Sequence, residues 1–188
     1  MIILASGSPR RSKILKDAGV EFLVKVSEID ERSINVNKLK PHEMVMEIAK
    51  QKALSVSINH QNDIVIGADT GVFLENEFFG KPVDSEDAVR MLEALSGKTH
   101  NVITGVAIVK GETIKSFYSK SKVTIKKLNE IEIREYVSTG EPLDKAGAYA
   151  IQDMGGSLVK KYEGDYFNIV GLPLKEVLKT LEFLKEQQ

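Results

Sequence analysis

The residues best suited to chemistry open the chain: Ser6, Ser8, Arg10 and Arg11, within Leu4-Ala5-Ser6-Gly7-Ser8-Pro9-Arg10-Arg11. Two hydroxyls, two guanidinium forks and the unpaired N–H groups of a helix start converge here, a combination suited to phosphate. Arginines on a first helical turn oppose the helix dipole, so folding alone would favour acids there. A second candidate is Asp69, which directly follows the apolar run Ile64-Val65-Ile66-Gly67-Ala68. That spacing places an acid at the carboxyl end of a strand, where α/β sheets hold their sites, although the same residue could cap a turn. Lys81, in Phe79-Gly80-Lys81-Pro82, and Lys52, in Lys50-Gln51-Lys52-Ala53, offer further positive charge. Glu28, Asp30 and Glu31 could supply oxygen ligands to a hard divalent ion or form a solvated loop. In Ala146-Gly147-Ala148-Tyr149-Ala150-Ile151-Gln152 the small residues allow close approach to a flat ligand. Gln152 provides both a donor and an acceptor for a base edge.

These residues need elements to position them. Met1 to Leu4 reads as a buried strand, and Ser8 and Pro9 read as the cap and first residue of a helix ending at Gly19. Phe22 to Val26 alternates like a strand, Val36 to Lys40 is a loop, and Pro41 opens a helix to about Ser57. The strand from Asp63 to Asp69 precedes a hairpin over Val72 to Phe79, turning at Glu75-Asn76. A helix capped by Asp84 or Ser85 runs to Leu95, and two long strands joined at Lys110-Gly111-Glu112 fill Asn101 to Lys126. Glu130 to Val137 is a helix, followed by a loop over Ser138 to Lys145. Short strands follow near Leu158–Lys161 and Phe167–Val170, and Pro173 opens a last helix to Lys185. The class is mixed α/β, with too many adjacent strands for a simple alternating βαβ order.

Bulk composition narrows the functions. The 188 residues suit one domain spanning residues 1–188, and 26 basic against 27 acidic residues give no field for general nucleic-acid binding. Cysteine is absent, which removes disulfides and thiol chemistry. No run approaches membrane-spanning length, so a soluble cytoplasmic protein without a membrane partner is expected. His42, His60 and His100 do not fall at metal-ligand spacings, and neither a Walker-type phosphate loop nor a Gly-x-Ser-x-Gly elbow is present.

Six segments together resemble the Maf family of nucleoside triphosphate pyrophosphatases. They are Ala5–Arg11, Gly67-Ala68-Asp69-Thr70, Gly80-Lys81-Pro82, Leu95-Ser96-Gly97, Asp144–Tyr149 and Gly171-Leu172-Pro173, in family order along the chain. The resemblance implies a mixed-sheet, elongated two-lobed fold of the Maf/Ham1 (ITPase-like) type with a cleft between lobes, and a homodimer. It implies hydrolysis of a nucleoside triphosphate to the monophosphate and pyrophosphate with Mg²⁺ or Mn²⁺. Asp69 corresponds to the proton acceptor, Glu31 and Asp69 to the metal partners, and Ser8, Arg10, Arg11, Lys52 and Lys81 to the triphosphate contacts. Arg10, Thr70 and Gln152 correspond to positions tied to substrate choice. The segment around Tyr149 is similar to the branch acting on dTTP and UTP, except that Ala150 and Asp153 stand where that branch has glycines. Gly71 likewise stands where a larger apolar residue is common. A 7-methyl-GTP pyrophosphatase and a nucleotide-binding regulator of septum formation are the alternatives.

Overall fold

A computed structural model of the chain describes residues 1–75 and 77–186. Seven strands pair in the order β2-β1-β3-β5-β6-β7, with β4 beside β3. They are β1 (Ile2–Leu4), β2 (Leu23–Val24), β3 (Ile64–Leu74), β4 (Glu77–Phe79), β5 (Thr99–Lys110), β6 (Thr113–Ile125) and β7 (Val159–Glu163). The helices are α1 (Pro9–Asp17), α2 (Pro41–Ser57), α3 (Ser85–Leu95), α4 (Glu130–Ser138), α5 (Tyr166–Val170) and α6 (Leu174–Glu186). The chain packs as two compact units, and β3, β5 and β6 each contribute residues to both.

The first unit takes Met1–Asp69, Thr104–Ser119 and the stretch from Gly171 onward. Every residue of β1 is buried, and β1 pairs in parallel with β2 and with β3, as expected of a short, wholly apolar run. Helix α2 presents Val45, Ile48, Ala49, Ala53 and Val56 to the core, which Ile3, Ala5, Val65, Ala107 and Val109 complete. Two glycines set how close α2 can lie. A Cβ on Gly67 would overlap the Ala49 carbonyl and stand 2.9 Å from the Ala53 Cβ, while one on Gly105 would meet the backbone of Val45 and Met46. Side chains alternate along a strand, so Gly67 and Asp69 share one face of β3.

The second unit takes Thr70–Ile103 and Lys120–Val170. Its core is built from Val72, Phe79, Leu92, Leu95, Val123, Ile125, Ile133 and Tyr149, among others. Helix α3 begins at Asp84, whose carboxylate accepts from the Asp87 N–H at 2.8 Å. Helix α4 begins with a capping box between Asn129 and Glu132.

Several expectations fail, among them the loop over Ser138 to Lys145, where Ser138 ends α4 and Glu141–Asp144 forms a 3-10 helix. Strand β3 does not end at Asp69 but continues through Thr70 and Gly71 to Leu74. Gly71 serves packing: a Cβ there would stand 2.7 Å from the Phe73 ring and 2.9 Å from that of Phe78. The hairpin partners Val72↔Phe79 and Leu74↔Glu77 are as expected, Glu75 takes φ 54°, and Asn76 lies outside the described residues. The segment near Phe167–Val170 is helix, not strand, because Asp165 starts it by accepting from the Phe167 N–H at 2.9 Å. The buried Asn168 on that helix gives its amide to Val102 O and Ser121 Oγ. Strand β2 shrinks to two residues, since Phe22, Lys25 and Val26 fall outside it.

Candidate active site

The turn from β1 into α1 is built as its residue types require. Ser8 has extended backbone angles (φ −71°, ψ 116°), and its Oγ accepts from the Arg11 N–H at 3.5 Å. Pro9 follows, and no acid occupies the first turn. Behind this cap lies Ser6, 8% exposed, whose Oγ accepts from the Ser8 N–H at 3.3 Å and from Arg11 Nη1 at 2.9 Å. Arg11 Nε donates to Gly171 O at 2.8 Å, across 160 positions of sequence. One guanidinium therefore ties the helix start to the segment that opens α6. Burial lowers the Arg11 pKa, as does the charge of Arg10, while Asp69 and Glu31 act in the opposite direction. Those influences place both carboxylates within electrostatic reach of Arg11.

On the other side of Asp69 stands Lys52. Its Nζ lies 2.8 Å from Asp69 Oδ1 and 2.8 Å from Glu31 Oε1. The Lys52 and Asp69 side chains are 12% and 14% exposed, against 53% for Glu31. The contact follows from the fold: the missing Cβ of Gly67 lets α2 press on β3, and Lys52, beside Ala53, meets Asp69 two residues further along the strand. Glu31 arrives from a single 3-10 turn over Glu31–Ser33. The group holds three cations (Arg10, Arg11, Lys52) and two carboxylates (Glu31, Asp69), a formal excess of one positive charge. Such a cluster suits a polyanion more than a neutral ligand.

The first unit thus gathers Ser8, Arg10, Arg11, Glu31, Lys52 and Asp69, while Thr70, Lys81 and Gln152 belong to the second. Lys81 is exposed on the bend after β4. That bend is pinned from within its unit, because Gly80 O accepts from the Gly147 N–H at 3.0 Å. Gly147 adopts φ +69° with its backbone against Val72, so both the conformation and the close approach demand glycine. Lys145, next in the motif, is buried and committed to Glu141 O and Asp144. Gln152 is half-buried, and its amide has no hydrogen-bond partner among the described residues.

Sequence reasoning missed two clusters in this unit. Glu141 accepts from Tyr136 Oη at 2.8 Å and from the N–H groups of Met154 and Gly155, anchoring the loop that carries Gln152. His100, 2% exposed, meets Tyr149 Oη through Nε2 at 2.7 Å, and its Nδ1 is buried with no partner among the described residues. Burial pushes the His100 pKa down to about 4. The spacing between His100 and Tyr149 follows no helical or strand period, so no local pattern announces their contact.

No group of three or more His, Asp or Glu residues able to hold a metal occurs among the described residues. Two carboxylates that already share one cation do match the chemistry of Mg²⁺ or Mn²⁺, which binds few protein oxygens and completes its sphere with water and substrate phosphates.

The mixed sheet with this strand order defines the class as a Ham1-like α/β fold, on which a cation-rich turn and paired carboxylates have the chemistry to meet a polyphosphate. The Ham1 protein of Staphylococcus aureus superimposes with a TM-score of 0.50 over 100% of this chain and 99% of its own, at 16% identity, a likeness of fold alone. A model of Maf-like proteins matches residues 1–184, and the chain belongs to the Maf family. Relatives from Bacillus cereus (strain B4264) and Bacillus mycoides (strain KBAB4) are 47% identical over 96% of this chain and 94% of theirs. Both carry the name dTTP/UTP pyrophosphatase.

Proposed function

We propose that the chain hydrolyses nucleoside triphosphates, dTTP and UTP foremost, to the monophosphate and pyrophosphate. The observation that carries this reading is the convergence of Asp69, Glu31 and Lys52 within electrostatic reach of Arg11. The names of the two Bacillus relatives support the choice of substrate.

In the reaction a water oxygen bonds to the α-phosphorus while the bond from that phosphorus to the α,β-bridging oxygen breaks. Asp69 takes the proton that the water gives up. Pyrophosphate leaves with the electron pair, and the negative charge it gains is met by Arg10, Arg11, Lys52 and Lys81. Ser8 and the N–H groups of the first turn of α1 orient the phosphate chain. Glu31 and Asp69 would hold Mg²⁺ or Mn²⁺, which when bound neutralises phosphate oxygens. Gln152 reads the base: its amide N–H₂ donates to a ring carbonyl and its carbonyl accepts from N3–H, a pattern that uracil and thymine complete. Cytosine offers an unprotonated N3 and an amino group in those places. A homodimer in the cytoplasm completes the proposal, and sedimentation of the purified chain tests its oligomeric part.

The test is pyrophosphate release across dTTP, UTP, CTP, ATP, GTP and 7-methyl-GTP, run in ¹⁸O-water. The expected result is label in the monophosphate and a preference for dTTP and UTP. Label in orthophosphate overturns the reaction, equal kcat/KM for UTP and CTP overturns the role of Gln152, and a preference for 7-methyl-GTP reassigns the substrate.

A further inference from the structure

Lys52 is placed oddly for a residue whose task is to meet phosphate. Its ammonium lies between the two carboxylates assigned above to the divalent ion, 2.8 Å from each. We propose that Lys52 is the protein's own occupant of the cation position, holding Glu31 and Asp69 together until a nucleotide draws it away. The inference rests on the reading that those two residues bind the metal.

Three observations carry it. First, Lys52 and Asp69 are each nearly nine-tenths shielded, and a charge shielded to that degree is costly without a partner. A divalent ion arriving alone would have to displace the ammonium and strand it, or settle against a like charge. Second, the helix carrying Lys52 cannot withdraw to make room. Its backbone is pressed onto β3 and β5 at Gly67 and Gly105, so only the four-carbon side chain can swing. Third, Arg11 is not available to take over the task. Arg11 is tethered through Nε to Gly171 O and through Nη1 to Ser6 Oγ. The ammonium therefore needs a new anion before it leaves, and the triphosphate supplies one. A single swing of Lys52 then adds positive charge to the phosphates, opens two oxygen ligands and frees Asp69 to accept a proton. Metal and nucleotide bind together, and metal alone binds poorly.

Direct titration of Mn²⁺ into the full chain, with free Mn²⁺ followed by electron paramagnetic resonance, tests this without turnover. Without nucleotide, Lys52→Met is expected to bind Mn²⁺ about ten- to a hundredfold more tightly than the parent, the range set by loss of a charge-assisted contact. Lys52→Gln is expected to move the same way, and it keeps a donor for one carboxylate should the methionine variant fail to fold. Adding a non-hydrolysable α,β-imido analogue of dUTP should tighten Mn²⁺ binding to the parent and narrow its difference from the variants. If folded variants bind Mn²⁺ alone no better than the parent, while the analogue still recruits Mn²⁺ to the parent, Lys52 is not the occupant and the metal assignment stands. If the parent binds no Mn²⁺ even with the analogue, the assignment to Glu31 and Asp69 falls, and this proposal falls with it.

Discussion

Asp69→Asn separates the chemistry from the fold, because its two effects differ in size and in assay. Asparagine keeps the shape of the side chain and its β3 position but gives up both the charge and the basic lone pair. Lys52 then loses the charge of its partner at 2.8 Å, although the asparagine Oδ1 can still accept, and keeps Glu31 at the same distance. A charge-assisted hydrogen bond contributes about 1.5–3 kcal/mol, which is the upper bound on the loss because a neutral acceptor remains, and at this low exposure little of it is screened. For a chain of this size a loss up to that bound lowers Tm by at most about 3–12 °C. A domain stable by about 5–15 kcal/mol still folds at 25 °C after it. Losing a general base costs about 10²–10⁴-fold in rate, which is roughly 2.7–5.4 kcal/mol of transition-state stabilisation. Pyrophosphate release from UTP gives kcat, calorimetry with the imido analogue gives binding, and thermal melting gives the fold. The expected outcome is a modest drop in Tm, analogue binding weakened far less than turnover, and at least a hundredfold loss of kcat. A folded variant with more than a tenth of the parental kcat would remove Asp69 from proton transfer.

The arginine pair should divide by role. Arg10→Ala is expected to lower kcat/KM by about ten- to a hundredfold with little change in Tm, whereas Arg11→Lys, which cannot reproduce the fork to Gly171 O and Ser6 Oγ, should lower both. Equal Tm changes in the two variants would remove the structural part assigned to Arg11. Gln152→Ala should flatten the preference for UTP over CTP more than it lowers the best rate, and unchanged selectivity refutes its part in reading the base. His100, held neutral by burial with its pKa near 4 against an ordinary 6.5, makes stability depend on pH. The unfolded chain takes up the proton first, so stability is complete above pH 6.5 and falls as pH drops towards 4, by up to about 3 kcal/mol. Denaturant unfolding of the parent and of His100→Gln over that window should show the steeper fall in the parent, the variant keeping only the acid-end loss from carboxylates such as Asp63 and Asp87, whose partners hold their pKa values low. Parallel curves would mean that the slope arises elsewhere.

Local chemistry in the chain announced the elements that begin with a strong stop or start. Helix α2 opens at Pro41 and α3 at its Asp84 cap, each within a residue of expectation, because proline at the first helical turn and a capping carboxylate act over one turn of backbone. Local signals misled where a tertiary partner decided the outcome. Thr70-Gly71 resembles a turn, yet the Phe73 and Phe78 rings fill the space above Gly71 and the strand continues. Phe167–Val170 has strand-like residues, yet Asn168 can satisfy its buried amide at Val102 and Ser121 from a short helix.

The site was legible in the same uneven way. Ser8, Arg10 and Arg11 stand out because cations on a capped first turn are unfavourable for folding and need another reason to be there. Lys52 has no such mark, since an isolated lysine on an amphipathic helix is ordinarily solvated. Its position became legible through resemblance to a family, and its partner through geometry: the contact with Asp69 spans 17 residues and depends on a glycine two places away that brings helix and strand together. Gly67 thus belongs to the site without touching a ligand. Any side chain there would push α2 outward, lengthen Lys52–Asp69 and undo the pairing of charge that the proposed chemistry needs.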